Sequence, residues 1–373
     1  AALALGLSAC GGGGAGGGGE DTSDTAPEDL SIGVSMPTET SERWIADGDN
    51  VQSQLEEAGY QVDLQFAGDD IPTQSRQIDT MITDGVDALI VAAIDGTALA
   101  SQLDAAAAEG IPVISYDRLI RDSPHVDFYV TFDNFEVGVA QANALLTGLG
   151  LQDEEGNPTE EQGPFTIEMF AGSLDDNNAF FFYDGAMSVL EPLIEDGTLV
   201  VGSDQTDIEQ IATLRWSQEA AQTRMETLIT SQYDGGSRQL DGVLSPYDGI
   251  SRGIITALTN AGYGPTIEDG LPVVTGQDAE IASVKLIADD VQSSTIFKDT
   301  RLLAEQAVVA AQTFLEGGEP EANDTESYDN GEGVVPSYLL PVETVYADTI
   351  QSSLVDSDYY TEQEVRRGQV DAP

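Results

Sequence analysis

The sequence has few basic side chains. Its 373 residues include 13 Lys and Arg against 67 Asp and Glu, which gives a formal net charge of −54. This balance excludes nucleic acid as a partner, because binding to phosphates needs the opposite sign of charge. Like charges also repel one another across a compact fold, and salt screens that repulsion over about 8–10 Å near physiological ionic strength. The composition therefore indicates either highly saline surroundings or an acidic secreted protein.

Histidine is also scarce, and this limits the possible catalytic chemistry. His125 is the only histidine and follows a proline, so the sequence contains neither a Ser–His pair nor a His-ligated zinc site. Residues 35–39, after the first predicted strand, lack the glycines of a dinucleotide fingerprint. Asp175 and Asp176 are weak evidence for paired catalytic carboxylates, since adjacent side chains at a helix start point different ways. We therefore expect no enzyme activity, no metal and no cofactor; turnover of a glycoside would contradict this.

The sequence has one cysteine, Cys10, which excludes an intrachain disulfide. The preceding residues 1–7 are apolar, too short to cross a bilayer, and typical of the end of a signal peptide. Leu7-Ser8-Ala9-Cys10 resembles a bacterial lipobox, in which the cysteine becomes the lipid-modified first residue. We predict that residues 1–9 end a lipoprotein signal peptide and that Cys10 anchors the protein to the outer face of the cell membrane. A buried free thiol is the alternative.

A glycine-rich and then acidic segment follows the cysteine, from Gly11 to about Leu30. A phosphate-binding loop is the functional alternative for such a segment, but no strand precedes it and no Lys-Ser/Thr follows it. We interpret residues 10–30 as the lipidated cysteine and a flexible tether.

From Ile32 onward, short apolar runs alternate with amphipathic segments, and the chain length favours two domains. Strands are predicted at 32–36, 62–66, 88–93, 113–116, 128–132, 165–170, 199–202, 243–245, 273–276 and 295–297. Helices are predicted near 40–58, 71–84, 99–108, 135–148, 179–195, 215–231, 249–261, 280–289 and 300–315. This alternation indicates an α/β protein with two successive lobes, each a doubly wound parallel sheet, and a ligand site between them.

The strand Val113–Tyr116 ends at Asp117 and Arg118. In open α/β sheets, ligands bind beyond the carboxyl ends of the strands. Asp117 offers only acceptors and Arg118 only donors in a planar fork, which suits adjacent hydroxyls on a small polar molecule such as a sugar. A local ion pair that holds the following loop is the alternative.

Polar and aromatic side chains recur after the predicted strands of both halves. They are Arg43 and Trp44, Asp117 and Arg118, Asp175 to Asn178, Arg215 and Trp216, Tyr247 and Asp248, Gln277 and Asp278, and Lys298. Carboxylates and amides hydrogen-bond hydroxyls, and an aromatic ring covers the apolar C–H face of a pyranose. Structural roles stay open for single residues: an aspartate at a helix start is often an N-cap, as expected for Asp133, and Trp44 could belong to the core.

Between Ser31 and Tyr360 the chain resembles the type I periplasmic binding proteins of sugar ABC transporters. The similarity is strongest to the multiple-monosaccharide-binding branch, related to xylose-, ribose- and glucose/galactose-binding proteins. The motifs that carry it are Ser41-Glu42-Arg43-Trp44, Ser115-Tyr116-Asp117-Arg118-Leu119-Ile120-Arg121, Thr131-Phe132-Asp133-Asn134, the ranges 172–183, 244–249 and 276–280, Thr295-Ile296-Phe297-Lys298-Asp299-Thr300, and Val335-Pro336-Ser337-Tyr338-Leu339.

The resemblance implies two α/β lobes joined by a three-segment hinge. The crossovers are expected near Asp133-Asn134, after Lys298, and near Val335–Leu340. Residues 31–133 and 299–336 would form the first lobe, and 134–298 and 337–373 the second. Related transcription repressors carry a helix-turn-helix in front of this fold, where the present sequence has the lipobox and the glycine tether.

The resemblance also implies the positions that contact sugar. From the first lobe they are Arg43, Trp44, Asp117 and Arg118. From the second they are Asn177 or Asn178, Trp216, Asp278 and Lys298. Tyr247 stands where several relatives have Asn, which leaves that contact open. We further predict that Trp44 and Trp216 sandwich the ring, one from each lobe.

The predicted function is that of an extracytoplasmic, lipid-anchored monomer. It would bind an aldopentose or aldohexose and deliver it to an ABC permease. A sensor that presents its closed form to a membrane receptor kinase is the alternative. The sequence does not select among xylose, glucose, galactose and arabinose, since epimers differ by side-chain placement on the order of 1 Å.

Overall fold

The computed structural model describes residues 22, 23 and 25–370. The predicted signal-peptide end, Cys10 and most of the predicted tether lie outside the described residues. Among the described residues, no helix is both long enough and apolar enough to cross a membrane.

The described chain alternates strands and helices, as the hydrophobic pattern predicts. The strands are β1 (Ser31–Met36), β2 (Gln61–Phe66), β3 (Ala88–Val91), β4 (Val113–Tyr116), β5 (Phe128–Phe132), β6 (Phe165–Met169), β7 (Leu199–Val201), β8 (Gly242–Leu244), β9 (Val273–Val274), β10 (Thr295–Phe297), β11 (Ser337–Leu340) and β12 (Glu343–Val345). The α-helices are α1 (Glu42–Glu57), α2 (Ile71–Asp84), α3 (Ala100–Glu109), α4 (Asn134–Gly148), α5 (Asn178–Glu195), α6 (Ile208–Ile211), α7 (Gln218–Gln232), α8 (Asp248–Asn260), α9 (Ile281–Ala288), α10 (Thr300–Leu315) and α11 (Glu362–Arg367). Short 3₁₀ turns occupy Pro27–Asp29 and Leu214–Trp216, and a π-helical turn occupies Gln351–Val355.

The first lobe is a parallel sheet with the strand order β11-β5-β4-β3-β1-β2. Strands β3, β4 and β5 are buried along their whole length, which explains why they read as continuous apolar runs. Helices α1 and α10 cover one face of the sheet, and α2 and α3 cover the other. The predicted doubly wound arrangement is therefore confirmed for this lobe.

The second lobe repeats the plan with the parallel order β7-β6-β8-β9. Helices α4 and α5 pack on one face, and α7 and α8 pack on the other. Strand β10 pairs instead with β12 in an antiparallel ribbon. This ribbon, α9 and the C-terminal residues share a further apolar cluster around Phe297, Val345 and Leu354.

The chain passes between the lobes at three places. The first lies between β5 and α4, where Asp133 caps α4 by accepting from the backbone N–H of Glu136, as predicted. The second lies between β10 and α10, after Lys298. The third differs from our boundary at residue 336, because Ser337–Leu340 pairs in parallel with β5 of the first sheet. The chain therefore crosses at residues 341–342, and the second lobe resumes at β12.

One predicted helix begins later than expected. The pattern placed its start at residue 215, but α7 starts at Gln218, and Arg215 and Trp216 lie in a 3₁₀ turn with φ of 57° and 54°. Left-handed backbone is uncommon for residues with large side chains and is found where surrounding structure holds it in place. The turn takes the indole out of the helix and makes Trp216 part of the cleft between the lobes.

We expect the free energy of unfolding to rise with salt, because the charge of −54 repels itself and salt screens it. Between about 0.01 M and about 1 M NaCl, the Debye length falls from about 30 Å to about 3 Å. Urea titrations should therefore show most of the increase in the free energy of unfolding between these two concentrations. KCl should act like NaCl if screening is the cause. A free energy of unfolding independent of both salts would contradict this prediction.

Candidate functional site

A cavity of about 460 Å³ lies between the two lobes. Its lining is polar, charged and aromatic, and comes from both halves of the chain. The lining residues are Thr38, Thr40, Ser41, Arg43, Trp44, Asp69, Asp117, Arg118, Asp176, Asn178, Phe182, Arg215, Trp216, Ser217, Gln218, Glu219, Tyr247, Gly249, Arg252, Gln277, Asp278 and Lys298.

Most of the predicted ligand-binding residues converge on this cavity because they follow the carboxyl ends of parallel strands. Trp216 reaches it from a 3₁₀ turn, and Lys298 from the end of the antiparallel strand β10. Arg43 and Trp44 open α1 after β1, and Asp117 and Arg118 follow β4. The second lobe contributes Asn178, Trp216, Tyr247, Asp278 and Lys298. Asn177 differs from the others, since it stands at the N-cap position of α5 and does not line the cavity.

A buried network of charges joins the two lobes at the floor of the cavity. Arg43 Nη2 lies 3.0 Å from Asp117 Oδ1, and its Nη1 lies 3.6 Å from Asp278 Oδ1. Lys298 Nζ lies 2.9 Å from Asp278 Oδ1 and 4.0 Å from Asp117 Oδ1. Lys298 is 2% exposed and Asp117 3% exposed, so water screens these charges little. Each carboxylate is therefore shared between cations that come from different lobes.

The network keeps Asp117 ionised. Burial favours the neutral form of Asp117, but the positive charges of Arg43 and Lys298 outweigh burial and hold the pKa of this carboxyl below its ordinary value. The contact of Lys298 with Asp278 Oδ1 is not aligned as a hydrogen bond, and this oxygen has no hydrogen-bond partner among the described residues. Asp278 Oδ1 therefore interacts with Lys298 and Arg43 through their charges.

The backbone at Asp117 is held by an unusual number of donors. Its φ of 59° lies in the left-handed region. Its carbonyl accepts from Tyr129 Oη at 2.6 Å, Thr131 Oγ1 at 3.1 Å and Asn178 Nδ2 at 2.8 Å. Asn178 belongs to the second lobe, so this last bond crosses the cleft. Left-handed backbone persists only where surrounding contacts hold it in place. By holding the backbone of Asp117, these bonds also fix the direction in which its side chain leaves the chain.

The two tryptophans lie in different surroundings. The guanidinium carbons of Arg43 and Arg118 lie 4.4 Å and 5.0 Å from the ring centre of Trp44, within the range of cation–π attraction. Trp44 also belongs to the core of the first lobe, so it serves packing as well as the cavity. Trp216 packs edge-on against Phe182 and Tyr247 at 6.2 Å in each case. Both rings line the cavity, and a sandwich around a ligand stays a prediction.

Two acidic residues of the site are not among the predicted sugar contacts. Asp176, which the sequence shows only as one of the polar residues at a strand-to-helix junction, faces Arg118 across the cleft, with its Oδ2 3.1 Å from Nε. Asp47 accepts from Arg43 Nε at 2.8 Å and from Tyr116 Oη at 2.5 Å. The i, i+4 spacing of Arg43 and Asp47 on a predicted helix could have revealed the second pair.

We expect Asp47 to make folding stability depend on pH. Burial and the nearby Asp117 raise the pKa of Asp47 to about 6, although Arg43 and Tyr116 oppose the shift. A carboxyl whose pKa rises on folding stabilises the fold below its unfolded pKa, near 4, and that stabilisation is lost as pH rises through about 6. The loss is on the order of 3 kcal/mol for a shift of about two units.

Urea unfolding of Asp47→Asn at about pH 4 to about pH 7 checks this prediction. The variant should lose less stability than the wild type across this window, since it cannot titrate. Asp84→Asn, a change at an exposed position of α2, is the matched control and should follow the wild type. Parallel curves for Asp47→Asn and the wild type would contradict the assignment.

Fold and cavity together define a two-lobed α/β protein with a polar ligand site in the cleft. Residues 32–319 match the family described as the periplasmic binding protein domain. The chain belongs to this family. The predicted fold class is confirmed, and so is the expectation of a binding protein rather than an enzyme.

Individual relatives cover most of the chain. It is 52% identical over 330 residues to the multiple sugar-binding periplasmic receptor ChvE of Rhizobium radiobacter, with 88% of this chain and 90% of that protein covered. It is 33% identical over 339 residues to the D-xylose-binding periplasmic protein of Escherichia coli (strain K12), with 91% and 93% covered. These matches confirm the resemblance to sugar-binding periplasmic proteins.

A solved structure is similar over nearly its whole length. It is an ABC transporter solute binding protein from Clostridium phytofermentans with bound β-D-glucose, 45% identical to this chain. The TM-score is 0.84, with 90% of this chain and 99% of that chain covered. The architecture described above is therefore similar to that of this glucose-bound structure.

Proposed function

We propose that this protein is an extracytoplasmic receptor that binds one aldopentose or aldohexose between its lobes. The observation that carries the proposal is the buried network of Arg43, Asp117, Asp278 and Lys298 in the cavity wall. It offers fixed donors and acceptors to adjacent hydroxyls, with the strength of charge-assisted hydrogen bonds. The indoles of Trp44 and Trp216 supply apolar surface for the C–H faces of the ring.

The charge of the lining favours a neutral ligand. Five cationic and five anionic side chains line the cavity, so their formal charges cancel. The cations are Arg43, Arg118, Arg215, Arg252 and Lys298, and the anions are Asp69, Asp117, Asp176, Glu219 and Asp278. A volume of about 460 Å³ is within the range of about 300–1,000 Å³ for small-molecule sites. Sugar-binding relatives at 52% and 33% identity support the same ligand class.

Binding would shift a population between an open and a closed arrangement of the lobes. Several contacts in the structure link the lobes directly, including Arg118 with Asp176 at 3.1 Å and the backbone N–H of Gly96 with the carbonyl of Asp175 at 3.2 Å. A sugar that touches both lobes binds the closed form better, and this difference in affinity drives closure. The closed form would then deliver the sugar to an ABC permease.

The sugar panel gives the first test. Calorimetric titration against xylose, glucose, galactose and arabinose should show binding of at least one of them with a stoichiometry of about one per chain. The proposal fails if no aldopentose or aldohexose binds. Capture of a membrane receptor kinase, instead of a permease, by sugar-loaded protein would favour the sensory alternative.

The charged floor of the cavity gives a second test. Asp117→Ala and Asp278→Ala should each weaken sugar binding by at least about 100-fold, because each removes a charged acceptor for the sugar hydroxyls, and hydrogen bonds to charged groups are worth about 1.5–3 kcal/mol apiece. Asp117→Asn and Asp278→Asn, which keep the shape, serve as milder variants if the alanine variants are unstable. Circular dichroism should report an unchanged fold, and Asp84→Ala should bind like the wild type. Unchanged affinity in both aspartate variants would refute the site.

We also propose that Cys10 carries the membrane anchor. Two acyl chains on one cysteine hold a protein stably at a bilayer, whereas one chain binds reversibly. Expressed with a complete signal peptide, the wild type should sediment with membranes and incorporate radiolabelled palmitate, while Cys10→Ser should do neither. The variant should keep its sugar affinity, since the anchor lies outside the lobes. Membrane association of Cys10→Ser equal to that of the wild type would contradict the anchor.

A further inference from the structure

The two lobes also meet beside the cavity. This contact between the lobes is made by residues other than the predicted sugar-binding residues. Ser41 Oγ of the first lobe donates to Glu280 Oε1 of the second lobe at 2.8 Å. The next residue, Glu42, accepts from the backbone N–H of Ile281 at 3.2 Å. The start of α1 therefore lies against the start of α9, and each helix brings a carboxylate to the contact.

The hydrogen bonding of the Ser41 hydroxyl is unusual for the position of this residue. Ser41 is the N-cap residue of α1, where a serine normally accepts a backbone N–H of its own helix. Its side chain makes no such bond, and its hydroxyl is used across the cleft. Removing this hydroxyl would therefore change the contact between the lobes without removing a cap from α1.

Glu280 is the centre of this contact. It is 2% exposed and does not line the cavity. Its Oε1 accepts from Ser41 and also from Tyr247 Oη at 2.8 Å, and its Oε2 accepts from Arg252 Nη2 at 2.6 Å. One buried carboxylate thus joins a residue of the first lobe to two residues of the second.

The backbone of Glu280 is fixed as firmly as its side chain. Its N–H donates to Asp248 Oδ2 at 2.9 Å, and the preceding N–H of Ala279 donates to Thr295 Oγ1 at 3.1 Å. Asp278 and Ala279 both have left-handed φ, of 88° and 48°. The same short bend therefore carries Asp278 into the cavity and Glu280 to the contact between the lobes.

Tyr247 extends the contact to the aromatic wall of the cavity. Its ring packs edge-on against Trp216 with 6.2 Å between centres, and Trp216 in turn packs against Phe182. Gly172 leaves room for the indole, since a Cβ there would lie 2.0 Å from the ring. The hydroxyl of Tyr247 is already engaged by Glu280, so the residue serves the site through its position beside Trp216.

We propose that Glu280 is a positioning residue that couples closure of the lobes to the placement of Trp216 through Tyr247. The proposal rests on the function proposed above and adds a residue that does not itself touch the sugar. When the lobes meet, Ser41 donates the last hydrogen bond to the buried carboxylate of Glu280, which already accepts from Tyr247 and Arg252. Tyr247 is then held in the orientation that supports the indole against the ligand.

A double-mutant cycle of Ser41→Ala and Tyr247→Phe tests the coupling. Each change removes one hydroxyl from the same oxygen of Glu280, and each should weaken sugar affinity about 10- to 100-fold, as expected for a hydrogen bond to a charged group. Because Tyr247 holds the carboxylate in place for Ser41, the double variant should lose clearly less than the product of the two losses. Ser101→Ala, at an exposed position, and Tyr263→Phe, which removes the hydrogen bond of a partly buried tyrosine to the carbonyl of Arg238 outside the cavity lining, are the matched controls.

A second measurement needs no sugar. Spectroscopic labels at Asp84→Cys and Glu226→Cys, in a Cys10→Ser background, report the distance between the lobes. In the ligand-free protein, Ser41→Ala and Glu280→Gln should move the distance distribution towards the open form. Glu57→Gln, at an exposed site of α1, should leave the distribution unchanged.

The outcomes separate this inference from the proposed function. If the wild type binds no sugar, the proposed function fails, while the distances still report whether Ser41 and Glu280 join the lobes. If sugar binds but the two losses multiply or exceed their product, Tyr247 and Ser41 act independently and the coupling is refuted. An unchanged distance distribution in both Ser41→Ala and Glu280→Gln refutes the role of Glu280 in closure.

Discussion

The sharing of buried charges between the lobes is the constraint on which the cleft depends. Asp117 of the first lobe and Asp278 of the second both lie near Arg43 and Lys298, one cation from each lobe. Charges removed from water are costly unless partners compensate them, and removing one partner of such a pair is strongly destabilising. Within each lobe one cation lies against one aspartate, Arg43 against Asp117 at 3.0 Å and Lys298 against Asp278 at 2.9 Å. Contacts of 3.6 Å and 4.0 Å across the cleft add a second cation to each aspartate. The site is therefore complete only when the lobes meet, and this makes closure part of recognition.

The distribution of charge follows from the same constraint. Of the 13 basic residues of the chain, 5 line the cavity, although the protein carries a net charge of −54. Acidic side chains on the surface are hydrated and screened by salt, so they need no specific partner. Buried carboxylates have no such relief, and those in the cavity wall are compensated by cations at contact distance. Basic residues are thus concentrated where burial requires them, and the surface is left acidic.

Strained backbone supports this arrangement of side chains. Asp117, Trp216 and Asp278 all adopt left-handed φ, and each lies after the end of a strand or in a turn at the cavity. Such conformations persist only where surrounding bonds hold them, as the donors to the Asp117 carbonyl do. Glu280 extends the same rigid segment to the edge of the cleft. The cavity wall and the contact between the lobes are therefore parts of one bonded structure.

The two lobes could be predicted from the sequence, because hydrophobic periodicity reports burial along each strand and helix. The same pattern located Asp117 and Asp278 beyond strand ends. Local pattern could not separate Asn177 from Asn178 at one helix start, nor show that Ser337–Leu340 pairs with the first sheet. It also could not show that Ser41 contacts Glu280, 239 residues away. These features emerge from the packing of whole helices and strands, since contacts between segments far apart in the chain leave no trace in the local pattern.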